Sequence, residues 1–168
     1  MTFSGHDLRV EDNLKVIYIG GEVKYFQIKS MDDMFYRDAH SAIPAGGTES
    51  YAEVTNLDPP TGQLYWVYKI ETRHNVKIYI KQPAATNRLG TNKAPEGGIL
   101  VGEGAAPVNG REVDFWIAED YPPNAQLMNG TNVSITSVLW WIGKRFGVVH
   151  LEKEPPKFFT VRIGGIAE

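Results

Sequence analysis

The stretch from Thr61 to Pro83 constrains this chain more than any other. Leu64, Trp66, Tyr68 and Ile70 alternate with Gln63, Tyr65, Val67, Lys69 and Glu71. After Thr72-Arg73-His74-Asn75 the alternation resumes, with Val76, Ile78 and Ile80 set against Lys77, Tyr79 and Lys81. A helix repeats every 3.6 residues and scatters such a pattern, whereas a strand repeats every two and collects it on one face. Asn75 tolerates the left-handed conformation of a tight turn, so His74-Asn75 is the expected connection. The pattern predicts a long β-hairpin at the centre of an all-β domain. Leu64, Trp66, Tyr68 and Ile70 face its core, and Tyr65, Val67 and Tyr79 face outward.

The rest of the chain reads in the same way. Leu14 to Ile19 and Val23 to Ile28 form strands around Gly20-Gly21, a pair that supplies the positive φ of a hairpin. Ile17, Ile19, Phe26 and Ile28 are expected on one face, with Val16, Tyr18, Val23 and Tyr25 on the other. Both faces are apolar, so this hairpin needs cover on both sides. Residues 1–12 are polar and read as an arm. Ser30 caps a predicted helical turn carrying Met31, Met34 and Phe35. Glu49 to Asn56 is a strand, and Asp58-Pro59-Pro60-Thr61-Gly62 a turn. Residues 83–98 form a long polar loop, a length that is usually functional or flexible. Ile99 to Val101 and Val113 to Ile117 are strands, and Pro123 to Met128 a helical turn. Val133 to Ile142 and Phe146 to Glu152 are strands on either side of a turn or bulge at Gly143-Lys144-Arg145. Phe159, Val161 and Ile163 carry the last strand, within a C-terminal segment 155–168. At 168 residues the chain is expected to be one domain spanning 1–168. The expected fold is a single jelly-roll β-sandwich of about eight to ten antiparallel strands, since short strands punctuated by turn residues point to closed or layered sheets.

Several chemistries are disfavoured. The chain has no cysteine, which removes disulfides, thiolate metal sites and cysteine nucleophiles. A formal charge of −3 disfavours general attraction to nucleic acid or anionic membrane. Met1 to Asp7 lacks the basic and apolar regions of a signal peptide, and no apolar run approaches the ~20 residues of a membrane span. Gly102-x-Gly104 is followed by Pro107 and no helix, which argues against a dinucleotide loop. His6, His40, His74 and His150 are too scattered for a cupin-type metal set. Glu112 and Asp114 are a carboxylate pair of the kind glycosidases use, but on the polar face of a strand they read as solvated. No Gly-x-Ser-x-Gly elbow is present. The expectation is therefore no enzyme, no cofactor and no metal.

The aromatics are left to explain. Tyr65, Tyr79, Trp116 and Trp140 fall on the less apolar faces of their strands, where aromatics serve interfaces or sugar-stacking platforms. Trp140-Trp141 sets one indole on each side of its sheet. The expected contact residues are Val16, Tyr18, Tyr25, Tyr65, Tyr79, Trp116 and Trp140.

A cysteine-free roll, Ile43-Pro44-Ala45-Gly46-Gly47-Thr48 opening a strand, and aromatic strands without an active site together resemble a viral coat subunit. More narrowly, the chain resembles the smaller of the two single-jelly-roll major capsid proteins of icosahedral internal-membrane phages of thermophilic bacteria and their haloarchaeal relatives (sphaerolipovirus-like). That resemblance implies a structural virion protein, made in the host cytoplasm and located in the capsid. Its implied partners are a second copy of itself, with exchange of terminal strands, and a larger capsid protein. It further implies proximity to an internal membrane and no specific nucleic acid. A carbohydrate-binding module using Tyr65, Tyr79 or Trp116 is the alternative expectation.

Overall fold

The structure, a computed structural model, describes residues 4–18, 21–43, 49–53, 57, 59–72, 76–81, 99–103, 108–119, 121, 123–129 and 135–163. It is all-β. Among the described residues, a 3-10 turn at Gly5–Asp7 precedes ten strands. These are β1 (Asn13–Tyr18), β2 (Val23–Ile43), β3 (Glu49–Glu53), β4 (Gln63–Thr72) and β5 (Val76–Lys81). Then follow β6 (Ile99–Glu103), β7 (Val108–Ile117), β8 (Asn124–Asn129), β9 (Ile135–Leu151) and β10 (Phe159–Ile163).

Six strands close into a barrel in the order β1-β10-β7-β4-β9-β2, and four form a sheet ordered β3-β8-β5-β6. Apart from β10, which runs parallel to both β1 and β7, the pairings are antiparallel. Four of the antiparallel partnerships nest inside one another along the chain: β2 with β9, β3 with β8, β4 with β7, and β5 with β6.

The central stretch is strand on both sides of residues 73–75, but β4 and β5 are not partners. Strand β4 pairs with β7 and β9 in the barrel, whereas β5 pairs with β6 and β8 in the other sheet. The expected hairpin is thus a crossing between sheets. Period-two alternation specifies a strand and its faces and leaves the partner open. Turn residues 73–75 and the 83–98 loop lie outside the described residues.

Three local expectations are corrected. No helical turn forms at Ser30, because β2 runs on through it to Ile43. Met31 packs into the barrel core and Met34 into a second core on the opposite side of the wall. Their three-residue spacing, which imitates a helix, is a strand serving two cores. Residues Pro123 to Met128 likewise hold no helical turn; Asn124–Asn129 is strand β8, between β3 and β5. At Gly143-Lys144-Arg145, expected as a turn or bulge, no turn forms, since β9 is continuous, and the bulge at this register lies in its partner β4, between Val67 and Lys69.

The wall β2-β9-β4-β7 carries a core on each face over part of its length, and this determines where the aromatics go. Inside the barrel, Leu14, Val16, Leu64, Trp66, Trp116 and Phe146 form one core. On the outer face, Met34, Tyr65, Val67, Ile70, Phe115 and Trp141 form the second, joined by Leu57 from the link between β3 and β4. Burying side chains of this size stabilises by roughly 1.5–3 kcal/mol each.

Four expected contact residues are therefore spent inside the chain. Val16, Tyr18, Tyr65 and Trp116 are all buried. The β1–β2 register sets Leu14 opposite Phe26 and Val16 opposite Lys24. Val16 and Tyr18 accordingly point inward with Phe26, while Ile17, expected beside Phe26, joins Val23 and Tyr25 on the outer face. One residue of register separates the two arrangements and exchanges the faces. Trp116 lies directly opposite Trp66, with the rings stacked at 6.2 Å.

Candidate functional site

The two ends of the barrel differ. One end is closed by the N-terminal segment. Ser4 caps the 3-10 turn by accepting from the His6 N–H. The turn then lays Gly5 against the Trp66 indole, where a Cβ would come within 2.5 Å of ring carbon. His6 packs edge-on against Trp66 at 4.8 Å and Tyr68 at 4.5 Å. Leu8 is fully buried in the barrel core. Trp66 is fixed from the side as well, since its Nε1 donates to Asp114 Oδ1 at 2.7 Å. Of the carboxylate pair Glu112 and Asp114, the second thus has a structural role.

At the other end, three turns surround an open cavity of about 590 Å³. The β1–β2 turn is held by Tyr18 N–H donating to Glu22 C=O at 2.8 Å, with Gly21 at φ 101°. The turn before β4 places Gly62 at φ 89°, and its carbonyl accepts from the Val148 N–H at 2.8 Å. The turn after β7 is held by Tyr121 N–H donating to Ala118 C=O at 2.9 Å. Tyr18 at the end of β1, Gln63 and Leu64 at the start of β4, Ala118 just beyond β7 and the adjoining turn residues line the cavity.

The cavity has an apolar floor of Phe26, Leu64, Ala118 and Val148, and a polar rim of Glu22, Lys24, Thr61, Gln63, Glu119 and His150. Tyr18 and Tyr121 stand over it with ring centroids 5.3 Å apart and planes inclined by 46°. The Lys24 ammonium lies 5.5 Å from the centre of the Tyr18 ring and 3.9 Å from a Glu22 oxygen. Thr61 hydrogen-bonds through its hydroxyl to Glu119 Oε2. Burial, reinforced by the charges of Glu22 and Glu119 and by Tyr121, pushes the Tyr18 phenol up to about 12. It stays protonated, and so a donor, throughout the neutral range.

Of the expected contact residues, Tyr25 and Trp140 are half-buried. Trp140 and Trp141 divide between the two sides of β9, with Trp141 fully buried. Tyr79 lies on β5, opposite Gln126 and Leu100, and its side chain is outside the described residues. Tyr25 belongs to an outer cluster. Its hydroxyl donates to Glu154 Oε1 at 2.8 Å, its ring meets Phe158 edge-on at 5.9 Å, and Lys15 lies 5.7 Å over Phe158. Val23, Val149 and Phe158 are exposed around it. His150 packs against Phe26, while His40 and His74 fall outside the described side chains. Among the described residues no group of three or more His, Asp or Glu is placed to hold a metal ion.

The cavity residues Glu22, Lys24, Thr61, Glu119 and Tyr121 carry no local motif. Each is a strand-end or turn residue, and only the barrel order brings them together. The one local sign is Lys24, a charge at an inward position between apolar neighbours. No protein-family model matches the chain, and no curated protein matches it.

Proposed function

We propose that this chain is a structural virion protein, a capsid subunit that works by self-assembly and packs beside a larger coat protein. The observation that carries the reading is the nested strand order. Partners β2·β9, β3·β8, β4·β7 and β5·β6 give two four-strand orders, β2-β9-β4-β7 and β3-β8-β5-β6. This order supports a jelly roll, eight strands in two sheets, with β1 and β10 as additions that close the first sheet into a barrel. Jelly rolls serve coats, lectins and cupins, and the choice among them rests on surfaces rather than on the fold.

The outer wall of β1, β2 and β9 favours assembly. Lys15, Tyr25 and Leu151 share one row across the three strands, with Val23 and Val149 beside it. An exposed apolar group of this kind is characteristic of a protein contact. Lys15 and Glu154 flank it with opposite charges, so two copies related by a two-fold axis can set each lysine against the other's glutamate. The partner for this surface is therefore a second copy of the chain.

Size-exclusion chromatography with light scattering provides the test. A dimer or larger species is expected at micromolar concentration. The double substitution Val149→Asp, Phe158→Asp is expected to raise the dissociation constant at least about tenfold, as for loss of a central interface contact. A strictly monomeric wild-type chain at high concentration refutes the reading.

A further inference from the structure

We propose that the open end of the barrel is a binding site for a neutral saccharide of one or two sugar units. This role goes beyond assembly and does not depend on it. The cavity, about 590 Å³, lies within the range of small-molecule sites, and barrel mouths are a recurrent place for them. Its opposite end is closed by Gly5, His6 and Leu8, so a ligand has one way in.

The composition of the rim selects the ligand class. Tyr121, half-buried at the mouth and backed by the buried Tyr18 ring 5.3 Å away, offers aromatic surface to the apolar face of a sugar ring. Glu22, Glu119 and Thr61 supply acceptors, and the phenols and Lys24 supply donors, which is what hydroxyls acting both ways require. Charged ligands fit less well. The seat for a cation over Tyr18 is already taken by Lys24, which also lies beside Glu22. An anion would face both Glu22 and Glu119. Glu119 also accepts a hydrogen bond from the Thr61 hydroxyl across the rim.

The test uses the full chain on an array of neutral mono- and disaccharides, followed by calorimetric titration with the best array sugar. Saturable binding is expected. Tyr121→Ala and the near-isosteric Glu119→Gln are each expected to weaken it at least tenfold, with circular dichroism and thermal melting showing the fold retained. Glu112→Gln, exposed on β7 away from the mouth, is expected to leave it unchanged. A blank array overturns the proposal. So does sugar binding that survives both Tyr121→Ala and Glu119→Gln, or tighter binding of tetramethylammonium than of any sugar at the same residues. Failure here leaves light scattering untouched, so the assembly reading stands or falls separately.

Discussion

Gly143 shows how one residue is dictated by a strand far away in the chain. A Cβ there would meet the Trp66 carbonyl oxygen at 1.8 Å, because β4 shifts register between Val67 and Lys69 where it crosses β9. Gly147 differs: a Cβ would lie 2.3 Å from Ser30 Oγ, beside the shift between Ile28 and Ser30 in β2, but the hydroxyl can rotate away and the Ser30 backbone nitrogen stays at 3.8 Å. At Gly143 the bulge brings the neighbouring backbone closer than a side chain allows. Gly143→Ala is expected to cost at least about 1–3 kcal/mol, the usual range for overpacking, read as a lowered thermal midpoint. In the sequence Gly143-Lys144-Arg145 has the composition of a turn. Whether such a glycine ends a strand or admits a neighbouring backbone depends on its partner, which no local pattern contains. Tyr18 makes a second prediction at this scale. Its phenol is raised in the fold from 10.0 to about 12, so the native state retains the proton over that interval. Its stabilising contribution is complete below pH 10 and declines as pH rises toward 12. Ultraviolet titration is expected to show a tyrosine ionising at about pH 12, and Tyr18→Phe to remove it.

Among the elements, the N-terminal segment departs most from its composition. Residues 1–12 are polar, yet Leu8 within them is fully buried against the barrel core. Leu8→Ala is expected to destabilise by about 2–5 kcal/mol, the cost of a large-to-small change in a core. Removing residues 1–8 is expected to uncover Trp66, with a red-shifted tryptophan emission as the readout. A single leucine among polar residues carries no periodicity, so nothing local announced its burial. Strand β4 is the opposite case. Leu64, Trp66 and Tyr68 face the barrel as their alternation requires, and the strand's bounds match its pattern closely. The register shift between Val67 and Lys69, however, turns Ile70, expected beside them, into the outer core. What the pattern could not convey is that Tyr65 and Val67, on the other face, are buried too. A wall with two cores reads as one apolar face and one mixed face until its second cover is known.

At the scale of the whole molecule, the all-β class was legible from alternation and turn residues, while the pairing was not. Nested partners place the two longest strands, β2 and β9, near opposite ends of the chain. Such a fold closes its largest loops around pairings remote in sequence, and the entropy of that closure slows folding. Refolding by stopped-flow fluorescence is expected to take milliseconds to seconds or longer, as for other β-proteins dominated by remote contacts. The candidate sugar site belongs to this scale as well. Its residues are contributed by the ends of four strands and three turns, and they form a site only once the barrel has closed.

The parallel pairing of β1 with β10 has a practical corollary. Asn13 begins β1 at the plugged end, whereas Ile163 ends β10 beside Tyr18 at the mouth. The two flanks of the barrel are thus polar opposites for anyone who tethers the protein. A sensor chip or bead coupled through the N-terminal side presents the mouth to the solution. Coupling through the C-terminal side turns it toward the support. An assay for ligands should accordingly anchor the barrel on the side where β1 starts.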